Sequence, residues 1–109
     1  MIVDEGKIPL YWEKELIEEI AQRVANEREY KLHVYDCTEF SKKLVRELKK
    51  LNFSARCTAG SNWDFEYSDH TWVSVFLDGE RIEVEATDGY IIDEEDFESY
   101  EIKWEGRCW

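Results

Sequence analysis

The sequence predicts an α+β domain, with helices first and a small antiparallel sheet after them. Two features predict it. Apolar residues recur at helical spacing through the first half of the chain. The second half alternates apolar and polar residues between Asp-Gly turn pairs. At 109 residues, positions 1–109 are read as one domain.

From Trp12 to about Arg28, Leu16, Ile17, Ile20, Ala21, Val24 and Ala25 line one stripe, with Glu and Lys elsewhere. Glu29 to Tyr35 reads as extended. Asp36 then fits an N-cap, with Glu39 where a capping-box acid belongs. The helix it opens runs from Cys37 to about Leu51. Phe40, Leu44, Val45, Leu48 and Leu51 face inward; Lys42, Lys43, Arg46, Lys49 and Lys50 face water. Phe53–Ala59 reads as a strand and Gly60–Asp69 as a polar, aromatic loop. His70–Leu77 and Glu80–Thr87 are strands joined by Asp78-Gly79, a two-residue hairpin signal. Asp88-Gly89 turns again, Asp93 opens a short acidic helix, and Ile102–Trp104 is a last strand.

Composition bounds the function. The net charge of −12 lacks the basic surface that nucleic-acid binding needs, so no nucleic-acid partner is expected. It suits solubility and is compatible with a basic partner. No apolar run is long enough to span a bilayer and the N-terminus lacks signal-peptide character, so a cytoplasmic protein without a membrane partner is expected. The three cysteines, Cys37, Cys57 and Cys108, show no Cys-x-x-Cys spacing, so no metal site and no cofactor is expected. Cys57 reads as a reduced core residue and Cys108 as incidental. A disulfide between them is disfavoured in a cytosolic chain.

The hairpin sets a geometry. If Asp78-Gly79 is the turn, Leu77 pairs with Glu80, and counting back pairs Trp72 with Glu85 and His70 with Thr87. His70, Trp72, Glu83, Glu85 and Thr87 then share one face, with His70 and Glu85 as diagonal neighbours. Val73, Val75, Leu77, Ile82, Val84 and Ala86 make the opposite, apolar face. Cys37 lies on the first turn of its helix, where unpaired N–H groups and the dipole favour a thiolate. His70 would take its proton, Glu85 would orient the ring, and the Cys37 backbone N–H would be one oxyanion donor. Asp36 and Glu39 oppose the thiolate. Against this stands a plainer reading: a small core cysteine, a structural histidine and a surface acid.

Tyr35-Asp36-Cys37-Thr38-Glu39-Phe40, Asn52-Phe53-Ser54-Ala55-Arg56, His70-Thr71-Trp72-Val73-Ser74-Val75 and Val84-Glu85-Ala86-Thr87 together resemble the transglutaminase-like superfamily. The resemblance covers about residues 35–90 and is most specific at Arg56, the His70/Trp72 pair and the step from His70 to Glu85. It implies a papain-like fold and a Cys-His-Asp triad, whose roles fall on Cys37, His70 and Glu85. Glu85 departs from the family's aspartate, with Asp88 off the matching position. Asn52 departs from the glycine of its strand entry, and Lys31 stands where a papain-type glutamine would lie. Asp36-Cys37-Thr38-Glu39-Phe40 is also similar to bacterial cell-wall endopeptidases, but Arg56 and Trp72 favour the first family.

The resemblance implies acyl transfer through a Cys37 thioester. The acceptor is water in a peptidase or amidase, the favoured expectation, and an amine in a transglutaminase. A peptide or protein substrate, with the acidic loop suiting a basic one, would meet Trp63, Phe65 and Trp72. The alternative is a catalytically silent binding module on the same fold.

Overall fold

A computed structural model describes residues 10–27, 37–62 and 67–106. The elements are α1 (Leu10–Glu27), α2 (Cys37–Lys50), β1 (Ser54–Asn62), β2 (Tyr67–Leu77), β3 (Glu80–Glu85), β4 (Tyr90–Ile91), α3 (Glu94–Phe97) and β5 (Tyr100–Gly106). The five strands form one antiparallel sheet in the order β4-β3-β2-β1-β5. The α+β class therefore holds, with helices packed on a five-stranded antiparallel sheet. The extended segment expected over Glu29–Tyr35 and the Asp36 cap lie outside the described residues.

The two long helices cover one face of the sheet. Ile17, Ile20, Ala21 and Val24 from α1 and Phe40, Leu44, Val45 and Leu48 from α2 meet Val73, Val75, Leu77, Ile82 and Val84 from the sheet, all buried. These are the positions that helical and strand periodicity nominated. Leu51 is a correction: it is 52% exposed, because the helix has ended at Lys50. The chain leaves α2 through Asn52 at φ 66°, with Phe53 N–H donating to the Leu48 carbonyl and Asn52 N–H to that of Lys49. That is the left-handed Schellman ending that glycine usually makes and asparagine makes next best. The departure at Asn52 thus keeps the backbone turn.

The Asp78-Gly79 hairpin forms as expected, with positive φ at both residues and Leu77 opposite Glu80 through Val73 opposite Val84. β1 and β2 are longer than expected and take in parts of the segment read as a loop. β3 stops at Glu85 rather than Thr87, because the Glu85 carbonyl accepts from Gly89 N–H and the chain turns back as β4, a strand that was not anticipated. Gly89 is required there. Its φ is +77°, and a Cβ would come within 2.7 Å of Gln22 Cα in α1.

Residues after β4 do not return to their neighbours. They pass through α3 to reach the opposite edge, where β5 pairs with β1. This strap lies on the second face of the sheet. There Phe97 and Tyr100 stack on one another and pack edge-on against Trp72 at ring-centre distances of 5.9 and 5.0 Å. The face expected to be the more polar one is therefore covered, and Glu83 and Glu85 are both buried in it. Asp93 stands at the N-cap of α3 as expected, but its side chain makes no cap hydrogen bond.

Cys57 corrects a second expectation. It is fully buried in β1 as foreseen, yet it is disulfide-bonded, to a partner outside the described residues. Cys37 is not in a disulfide. Among the described residues no helix is long and apolar enough to cross a membrane.

Candidate active site

Three elements bring Cys37, His70 and Glu85 together. Cys37 is the first residue of α2 and is only partly buried, so its thiol stands at the helix entrance within reach of small molecules. A contact between Thr38 Oγ1 and Thr71 Oγ1, 3.4 Å apart, ties that first turn to β2 one residue from His70. His70 Nε2 lies 2.8 Å from Glu85 Oε2. The diagonal pairing read from the hairpin therefore places the two side chains in hydrogen-bond contact. His70 also has a side-chain hydrogen bond with Cys37.

The electrostatics follow from this chain of contacts. Burial works against a charged imidazole and is the largest single influence. The hydrogen bonds and charges of Cys37 and Glu85 outweigh it, and the His70 pKa rises to about 9. An imidazole held between a thiol and a carboxylate is favoured as imidazolium, which is the partner a thiolate needs.

Glu85 has a second donor that sequence reasoning did not find. Tyr100 O–H, at the start of β5, donates to the same Oε2 at 3.1 Å. Nothing local to the sequence signals this, because Tyr100 reaches Glu85 only through the strap.

The expected substrate contacts fare differently. Trp72 is 0% exposed; its indole N–H donates to Glu83 Oε1 at 3.0 Å, and its ring packs against Phe97 and Tyr100. It is a packing residue beneath the site and offers no face to a substrate. Trp63 and Phe65 lie outside the described residues. Arg56 is exposed and stacks its guanidinium over the Phe76 ring, 4.6 Å from its centre.

Glu83 gathers a separate network. It accepts from Trp72, from Ser74 Oγ at 2.5 Å and from Arg81 Nε at 2.9 Å, while Thr58 Oγ1 and Ser74 Oγ lie 2.6 Å apart. This reads as a buried polar layer that fixes the register of β1, β2 and β3. A cavity of about 350 Å³ between α1, β3 and α3, bordered by Lys14, Ile82, Ile92 and Phe97, contains none of the three triad candidates.

No protein-family model matches the chain, and no curated protein matches it.

Proposed function

We propose that the protein is a cysteine-dependent acyl-transfer enzyme, a peptidase or amidase, on a papain-like core of the transglutaminase-like kind. One observation carries the reading: Cys37, His70 and Glu85 form a continuous hydrogen-bonded series from a reachable helix-start thiol to a buried carboxylate. Glu85 in place of the family's aspartate still reaches the ring, so that departure does not break the series.

The Cys37 thiolate attacks the substrate carbonyl carbon, forming a C–S bond and an oxyanion that the N–H groups at the start of α2 stabilise. His70 gives its proton to the leaving amine as the C–N bond breaks, leaving a thioester. A water then loses its proton to His70 and attacks the thioester, and the C–S bond breaks to restore the thiolate and release the acid. Glu85 holds the ring orientation and the imidazolium throughout. The acidic surface suits a basic peptide or protein substrate. The cytoplasmic setting expected from the sequence would keep thiols reduced, whereas the Cys57 disulfide belongs to an oxidising one.

The test is the pH dependence of Cys37 alkylation by iodoacetamide, read residue by residue by mass spectrometry. The expected result is rapid labelling of Cys37 well below the ordinary thiol pKa of about 8.5, lost in His70→Ala. An ordinary thiol profile, unchanged by His70→Ala, would overturn the enzyme reading and favour a silent binding module.

A further inference from the structure

The triad acid accepts from a tyrosine that comes from the far edge of the sheet. Tyr100, in β5, donates its hydroxyl proton to Glu85 Oε2 at 3.1 Å, the same oxygen that lies 2.8 Å from His70 Nε2. Tyr90, in β4, stands directly opposite Glu85 in the β3–β4 ladder, and its side chain is hydrogen-bonded to that of Tyr100. Tyr100 has one hydroxyl proton and gives it to the carboxylate. Tyr90 is 38% exposed, so the series runs from the surface to the thiol: Tyr90, Tyr100, Glu85, His70, Cys37.

We infer that Tyr100 is a positioning residue for the triad: it fixes the Glu85 carboxyl plane and draws part of its negative charge away from His70. The inference rests on the acyl-transfer reading for its catalytic meaning. An imidazolium paired with an unshared carboxylate would grip its proton too tightly to pass it to a leaving amine. A carboxylate that also accepts from a phenol supports the imidazolium less strongly. Tyr100 thereby sets the compromise between forming the ion pair and releasing the proton.

The other ionisable groups around Glu85 leave this role to the tyrosines. Asp88 in the turn after β3 and Asp96 on α3 contribute negative charge near Tyr90, which together with burial and Glu85 itself raises the Tyr90 pKa. Neither aspartate can donate to a carboxylate when ionised. Glu83, on the same strand, is occupied by Trp72, Ser74 and Arg81. Lys14, on α1, is paired with Glu80 at the far end of β3. Cys37 from α2 acts on the other side of the imidazole.

The experiment is the titration of His70 by NMR in protein labelled at histidine, with His33 as the other histidine in the chain and His33→Gln to assign the signals. Tyr100→Phe keeps the ring that packs on Trp72 and Phe97 and removes only the hydroxyl. Its expected effect is a His70 pKa raised further, by up to about one unit. Tyr90→Phe leaves the Tyr100–Glu85 bond in place and is expected to move the His70 pKa less. If Tyr100→Phe does not fold, incorporation of fluorotyrosine, whose more acidic phenol is a stronger donor, should lower the His70 pKa instead. A ring that served packing alone would leave the titration unmoved, and a disorganised site would drop it toward the free value of about 6.5. Either outcome overturns the inference. Cys37 alkylation is measured separately, so an ordinary thiol would sink the enzyme reading while the histidine titration still decides the role of Tyr100.

Discussion

Glu83 and Glu85 are two residues apart on one strand and one face, both buried, and their partners separate their roles. Glu83 accepts from side chains that pack the second face, whereas Glu85 accepts from the imidazole that meets the Cys37 thiol. Glu83→Ala leaves Trp72, Ser74 and Arg81 without their shared acceptor. It should cost about 3–5 kcal/mol in denaturant unfolding, the range for breaking a buried charged pair. Glu85→Gln preserves volume and removes the charge. The influences that remain on His70 are then burial, which opposes its charge, and Cys37 alone. The His70 pKa should fall by at least one unit or so from about 9, and iodoacetamide labelling of Cys37 near neutral pH should slow about tenfold or more. A Glu85→Gln protein that labels like the parent would remove Glu85 from the site.

At the scale of elements, the tightest constraint is the crossing of β1 and β5. A Cβ on Gly60 would sit 1.8 Å from the Glu101 carbonyl oxygen, beside the irregularity in the β1–β5 register between Ala59 and Gly60. Gly60→Ala must push β5 away and carry Tyr100 with it. Gly79 makes the contrast: its φ is +82° and a Cβ there would meet nothing within 4 Å, so Gly79→Ala costs only the left-handed torsion, about 1 kcal/mol. Gly60→Ala should therefore lower the unfolding midpoint more than Gly79→Ala and should alone disturb the His70 titration; equal effects would mean that β5 does not hold the site. These elements also show what was legible. The helix stripes and the Asp78-Gly79 hairpin are local patterns, and they placed the core and the His70–Glu85 meeting from spacing alone. β4, the strap and β5 at the far edge depend on pairings between distant segments, which local alternation does not encode. Trp72 was misassigned for that reason: its face looks open until Phe97 and Tyr100 arrive from elsewhere in the chain.

For the molecule as a whole, the same contacts that prepare the site tie stability to pH. The folded His70 pKa of about 9 lies above its ordinary value of 6.5, so folding favours the protonated ring. Unfolded chains bind fewer protons between those two values, and the stabilisation is lost as pH rises through that window. The sign is thus opposite to that of a salt-bridged carboxylate. The contribution is fully present below about pH 6.5, and fades through about pH 9, with an upper size of about 3 kcal/mol. His70→Gln lacks the titrating ring, so the comparison isolates it. Parent and variant unfolding free energies should differ most on the acid side of the window and converge by about one pH unit above 9. Both curves also contain the carboxylates away from the site and the disulfide at Cys57, which cancel in the difference. A gap that stays constant across the window would mean that His70 is held by packing alone, with no charge shared among Cys37, His70 and Glu85. A gap that closes as pH rises would show that the charge which arms the thiol also holds α2 against the sheet.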